Sequence, residues 1–240
     1  MKMFIDGVAV DASDGRAIDV INPANGSVVD TVPRATKEDV DRAVNAALAA
    51  QKIWAKVPVC EKVEIMYKFI DLVEKNKEDL AKTLSDETGK PIVQARAEIG
   101  NIPISFKAFS ERAKHLYGET IPAGMEAGQE RHVLITRREP IGVVACVIPF
   151  NFPCDLFDQK VAPTLLAGNA AIVKPSTDNP LTLCKLTALM GEAGVTPGAI
   201  EILTGPGSEV GTWLCEHKDV EAITLTGSTD VGIETARRAA

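Results

Sequence analysis

Basic residues are the minority charge in this sequence, 26 Lys and Arg against 33 Asp and Glu, for a formal net charge of -7. A nucleic-acid partner needs a cationic face to displace counterions from phosphates, so none is expected. Long apolar runs are missing too, and no stretch has the length of a bilayer-spanning helix. The first residues carry Asp6, Asp11 and Asp14 where a secretory leader would have an apolar core, which predicts no membrane partner and a cytoplasmic location. Cysteine offers no framework: Cys60, Cys146, Cys154, Cys184 and Cys215 are odd in number, widely spaced and without a CxxC pair. With only His115, His132 and His217 beside them, neither a disulfide set nor a metal site is expected. What is abundant is apolar content, 45% over 240 residues, enough to bury a substantial core in one large domain or a domain with an appendage.

Up to about Pro33, short apolar and polar stretches with Gly and Asn-Pro punctuation predict small strands and turns, read as an edge hairpin. Thr36 with Asp39 three residues on predicts a capping box opening a helix with the stripe Val40, Val44, Ala47, Leu48 and Trp54. A second helix carries Val63, Met66, Ile70 and Val73. A third follows Asn76 and stops at Gly89, and Pro91 opens a fourth that runs towards Tyr117. Pro103 lies inside that fourth helix and, lacking an N–H, predicts a kink or break. From Gly118 to Glu139, turn residues and the alternating stretch RHVLITRRE predict an exposed two-stranded excursion.

From Ile141 onward, strands IGVVACVIP, AAIVK, AIEILTG and VEAITLTG each precede a helical stretch. Successive β-then-α units with strands apolar on both faces predict an α/β fold: a doubly wound, Rossmann-like parallel sheet, here with an N-terminal helical layer and a hairpin excursion.

In such sheets ligands bind outside the carboxyl ends of the strands. The residues leaving them are Pro149 to Pro153, Lys174 to Thr177, Gly205 to Gly211 and Thr226 to Gly232. TGSTDVG places Ser228 where a helix begins, either a pyrophosphate site or an ordinary N-capped turn. Gly227 and Gly232 have P-loop spacing, but Ile233 and Glu234 stand where Lys and Ser or Thr would be needed, so a nucleoside triphosphatase fits poorly. No GxGxxG follows the first of these strands; a dinucleotide here must lie differently from one on an ordinary Rossmann loop. Lys174, where a cation tolerates a ribose 2'-phosphate, is either a cofactor contact or a solvated strand end. Asn151, framed by Phe and Pro, is either a fixed carboxamide donor to an oxyanion or a residue bonding its own turn.

Taken in order, PFNFP, LLAGNAAIVKPS, LTGPGSEVG and LTGSTDVG follow N-terminal strands, a helical layer and a hairpin excursion. Over all 240 residues this ordered set resembles the N-terminal part of the NAD(P)-dependent aldehyde dehydrogenases, nearest the lactaldehyde and semialdehyde branch. The resemblance implies that Asn151 stabilises the thiohemiacetal oxyanion. It puts Ile148, Pro149, Phe150, Ser176, Gly227 and Gly232 among the cofactor-binding residues, with Lys174 and Thr177 at the adenosine ribose and Ser228 at the pyrophosphate. Gly207 and Val231 would border the adenine pocket. Phe152, Asp155, Leu156 and Gln159 would face the aldehyde entrance, with Asp155 and Gln159 pointing to a small polar aldehyde such as a hydroxyaldehyde. Residues 1–117 and 140–240 would form the cofactor-binding domain, and 118–139 an oligomerisation hairpin of a homodimer or homotetramer.

The sequence departs from the family pattern in three places. Phe150 replaces a Trp common in the family, which removes an indole N–H near the cofactor and would lower its affinity. Thr177 replaces the Glu usual in NAD-preferring members, which favours NADP, or both cofactors. The nucleophilic cysteine and general-base glutamate of the family lie beyond Ala240, and Cys154, with no histidine placed to activate it, is not a substitute. The catalytic domain is thus expected to be absent, and the helix still running at ETARRAA is expected of a truncated protein, inactive by itself. The function implied is the cofactor-binding half of an enzyme that oxidises an aldehyde to an acid through a cysteine thioester. A non-catalytic NAD(P)-binding module and a CoA-acylating aldehyde dehydrogenase are the alternatives.

Overall fold

The N-terminal segment forms two hairpins with different destinations. In the computed structural model, which describes residues 1–240, β1 (Met3–Ile5) and β2 (Val8–Val10) pair antiparallel, and β1 joins the main sheet with Phe4 opposite Ile202. β3 (Ala17–Ile21) and β4 (Val28–Pro33) make a separate two-stranded sheet. The sequence predicted one edge hairpin here; only β1–β2 is at the main sheet's edge.

Helix α1 (Lys37–Trp54) starts at the predicted capping box, with Asp39 N–H donating to the Thr36 hydroxyl and Thr36 N–H to the Asp39 carboxylate. Val40, Val44, Ala47 and Trp54 are buried, while Leu48 is half-buried. Next come α2 (Val59–Lys75), α3 (Lys77–Thr88) and α4 (Ile92–Ala113). Gly89 ends α3 in the left-handed region at φ 71°, where a Cβ would lie 2.7 Å from Pro23. The expected break at Pro103 does not occur, and α4 stops at Ala113 short of Tyr117. Ile99, Ile102 and Phe106, all fully buried, anchor the helix on both sides of the missing N–H, so packing outweighs one lost backbone hydrogen bond.

Between α4 and the main sheet, β5 (Thr120–Ile121) and β6 (Leu134–Ile135) pair antiparallel as a short separate ribbon. Then β7 (Val143–Val147), α5 (Pro153–Leu166), β8 (Ala170–Lys174), α6 (Leu181–Ala193) and β9 (Ile200–Ile202) alternate. A π-turn at Gly207–Gly211 leads into α7 (Thr212–Glu216), and β10 (Ala222–Leu225) and α8 (Thr229–Ala239) follow. The six-stranded sheet runs β10-β7-β8-β9-β1-β2, with β10, β7, β8 and β9 parallel. The antiparallel hairpin at its far edge makes the sheet mixed. Alternate strand residues go to opposite faces: Val144, Cys146, Ala171 and Val173 pack with α2 to α6, and Val143, Ala145, Ala170 and Ile172 with α1 and α7. Strands buried on both faces need helices on both sides, the doubly wound arrangement. No helix is long and apolar enough to cross a membrane.

One carboxyl in the helical layer works against this packing. Asp158 on α5 is fully buried and neither of its oxygens has a hydrogen-bond partner. Burial, reinforced by the negative charge of Asp155, pushes it up from 3.8 to about 7. Between these values the unfolded chain has released the proton and the folded chain retains it, so this group's contribution to stability falls as pH rises from about 4 to about 7. Asp158→Asn is expected to remove that part of the slope. Urea midpoints compared at about pH 5 and about pH 7.5 test this; equal slopes in the two proteins refute it.

Candidate functional site

Because β10, β7, β8 and β9 are parallel, their carboxyl ends emerge on one side of the molecule and gather the four loops into a row. Backbone bonds continue past the strands and fix the row: Ile148 N–H donates to Lys174 O at 3.0 Å, and Thr226 N–H to Val147 O at 3.3 Å. Ile148 is buried, Pro149 half-buried, and Phe150 65% exposed.

A cleft of about 430 Å³ opens at one end of this row, lined by Val147, Gly207, Gly211, Leu225 and Val231 among others. That volume suits a small organic ligand. A Cβ at Gly207, Gly211 or Gly232 would meet nothing within 4 Å, so the main chain is open to close approach there. Ser228 caps α8, its hydroxyl accepting from Val231 N–H at 3.3 Å, and leaves neighbouring first-turn N–H groups pointing outward. Gly227, just before the cap, is exposed. Apolar walls, open glycines and an N–H-rich helix start together fit the adenine and pyrophosphate of a dinucleotide.

Lys174 is neither solvated nor emergent. It is buried at 3% exposure, its ammonium donating to Pro175 O at 2.6 Å, and burial lowers it from 10.5 to about 8. Thr177 donates its hydroxyl to Gly205 O at 3.2 Å and so ties the second loop to the third, while Ser176 Oγ accepts from Asp178 N–H at 3.4 Å. A buried cation beside the half-buried hydroxyls of Ser176 and Thr177 suits an anion, whose arrival would offset the cost of burying the charge.

Asn151 stands at the other side of the first loop with its carboxamide exposed. The alternative that it bonds its own turn finds no support, since the carboxamide has no hydrogen-bond partner in the loop; its main-chain carbonyl accepts from Lys90 Nζ at 3.2 Å. Phe152 is 54% exposed with Lys90 Nζ 4.9 Å from its ring centroid. Asp155 accepts from Asn101 Nδ2 at 3.1 Å, and Gln159, one turn on, is exposed. Leu156 is half-buried and packs against the main core. Cys154 is fully buried and its thiol is pushed well above its usual range, mainly by burial, so it is a packing residue.

Three residues that the sequence reading missed hold this loop. Asn179 Nδ2 donates to Phe150 O at 2.7 Å, Lys90 pairs with Glu98, and Glu98 Oε1 accepts from Cys154 N–H at 2.9 Å. The available signal was Glu98, a carboxylate on the buried stripe Ala95, Glu98, Ile99, Ile102 of α4. Glu87 plays a similar part for α6, accepting from Leu181 N–H at 2.6 Å and Thr182 N–H at 3.0 Å, and burial raises it to about 7.

Residues 9–240 match the sequence profile described as the Aldehyde dehydrogenase family. The chain is 38% identical over 232 residues to the D-glyceraldehyde dehydrogenase (NADP(+)) of Picrophilus torridus, covering 97% of this chain and 46% of that protein. It is also 38% identical over 231 residues to the 3-sulfolactaldehyde dehydrogenase of Pseudomonas putida, covering 96% of this chain and 47% of that one. Among solved structures, the NADP-dependent glyceraldehyde-3-phosphate dehydrogenase of Bacillus halodurans, complexed with NADP, superposes with a TM-score of 0.96 at 32% identity, over 100% of this chain and 50% of that chain. The chain thus spans about half the length of the curated relatives it matches. With the profile covering nearly every residue and the fold reproduced throughout, the chain belongs to the aldehyde dehydrogenase family.

Proposed function

We propose that this chain is the cofactor-binding half of an enzyme that oxidises a small polar aldehyde to its carboxylic acid with NADP. The reading rests above all on one juxtaposition: the open cleft at Gly207 and Val231, the start of α8 at Ser228, the buried Lys174, and the exposed Asn151 all lie along a single row of strand ends. In this reading Gly207 and Val231 hold the adenine, and Gly227, Ser228 and Gly232 the pyrophosphate. Lys174, Ser176 and Thr177 take the ribose and its 2'-phosphate, and Ile148, Pro149 and Phe150 flank the nicotinamide end. The bound dinucleotide supplies the hydride acceptor. Asn151 donates its carboxamide N–H to the aldehyde oxygen as that oxygen gains negative charge. Phe152, Asp155, Leu156 and Gln159 form the mouth, where polar Asp155 and Gln159 favour a hydroxylated aldehyde. The nucleophile and general base belong to the half of the relatives that this chain does not span.

Residues 1–117 and 140–240 act as the cofactor-binding domain and 118–139 as an oligomerisation hairpin, which exposes Met125, Val133 and Ile135 to a partner copy in a homodimer or homotetramer. Five unpaired cysteines fit a reducing compartment, the cytoplasm.

Cofactor choice is testable on the chain itself. Lys174 carries its charge below about pH 8 and Thr177 brings no carboxylate to repel a phosphate, so NADPH is expected to bind at least about tenfold more tightly than NADH, about 1.4 kcal/mol, by fluorescence titration. Lys174→Ala should erase most of that difference. A preference for NADH would overturn the NADP assignment; binding of neither would overturn the cofactor-binding role itself.

A further inference from the structure

The loop that presents Asn151 is held through its main chain by distant side chains, and most of these bonds converge on one ion pair far away in sequence. Lys90 sits between Gly89, which turns the chain in the left-handed region, and Pro91, which precedes α4. Its own main chain is already satisfied: Ser85 Oγ donates to Lys90 O at 2.7 Å, and Lys90 N–H donates to Thr88 Oγ1 at 3.3 Å. The side chain is therefore launched from a fixed base. That side chain is 12% exposed, and its ammonium pairs with Glu98, donates to Asn151 O at 3.2 Å and lies over the Phe152 ring. Glu98, at 2% exposure, uses its other oxygen on Cys154 N–H at the start of α5. Together with Asn179 on Phe150 O, this fixes the backbone at 150, 151 and 154 and leaves the Asn151 carboxamide as the free group.

We propose that Lys90 and Glu98 are positioning residues for Asn151, clamping the backbone of residues 150–154 so that the carboxamide is aimed before substrate arrives. The proposal rests on the reading of Asn151 as the oxyanion donor. A charged pair suits the task because charge-assisted bonds are short, strong and directional, and the burial of Glu98 keeps water from competing for its bond to Cys154 N–H. Such aim matters chemically, since a donor displaced by about 1 Å from the developing charge can cost up to about 100-fold in rate.

The first test uses the chain as it stands. In Lys90→Met, amide exchange of the 149–157 segment is expected to rise about tenfold or more while exchange in α1 and α6 stays unchanged, with Lys90→Arg restoring protection. Unchanged exchange at 149–157 overturns the clamp. The second test uses the full-length enzyme. Lys90→Met should lower kcat about tenfold and leave KM for NADP+ within about twofold, with Glu98→Gln, which keeps an acceptor for Cys154 N–H, falling between it and wild type. Added to Asn151→Ala, Lys90→Met should have no further effect, because a residue that acts through Asn151 has nothing left to position. Additive losses overturn the proposal. If Asn151→Ala alone left kcat unchanged while exchange at 149–157 still responded to Lys90, the oxyanion reading would fall and the clamp would remain as a structural device only.

Discussion

Asn151→Ala in the full-length enzyme is expected to lower kcat by about 100- to 1000-fold with little change in KM for either cofactor or aldehyde. The selectivity follows from where the carboxamide sits. It is exposed, bonded to nothing within the loop, and held by a backbone that other residues already secure, so its removal should leave the fold and the cofactor cleft intact. An interaction formed only as charge builds on the aldehyde oxygen stabilises the transition state and not the bound ground state, which lowers kcat and spares KM. Steady-state kinetics together with NADPH titration of the same variant check this. A loss smaller than about fivefold, or one carried by KM, would sink the assigned role.

Trp54→Ala should produce the largest loss of stability, about 3 to 5 kcal/mol by urea unfolding. Trp54 ends α1 fully buried, in the main core, with Nε1 donating to Leu165 O at 2.8 Å and the Lys62 ammonium 5.5 Å from its ring centroid. It therefore links the helix on one face of the sheet to α5 on the other, and Gln51 reinforces the link through Gly168 O at 3.1 Å. Trp54→Phe separates packing from hydrogen bonding. The Leu165 carbonyl also accepts from Gly168 N–H at 3.0 Å, so it is not left unpaired, and the loss should be smaller, about 1 to 2 kcal/mol. Equal losses in the two variants would show that the hydrogen bond, and not the buried ring, carries the link.

Much of the fold was legible because its signals are local. The Thr36–Asp39 capping box, the Gly89 stop and the alternation of apolar strands with helices from Ile141 onward each depend on residues a few positions apart, where sequence spacing and spatial spacing coincide. A break at Pro103 fails to occur for the complementary reason. Its missing N–H is a local property, but the burial of Ile99, Ile102 and Phe106 that overrides it is not.

The candidate site divides along the same line. The sequence by itself determined which loops would leave the strand ends, and so brought Asn151, Lys174, Thr177 and Ser228 into consideration, because a parallel sheet puts its carboxyl ends on one side. Only the tertiary structure decided the environment of each: that Lys174 is buried and lowered to about 8, that Cys154 is sealed in the core, and that Lys90, 61 positions before Asn151, grips its carbonyl. Burial and charge pairing depend on which side chains meet after folding, and α4 reaches the Asn151 loop only by packing on α5. No spacing within either segment encodes that meeting.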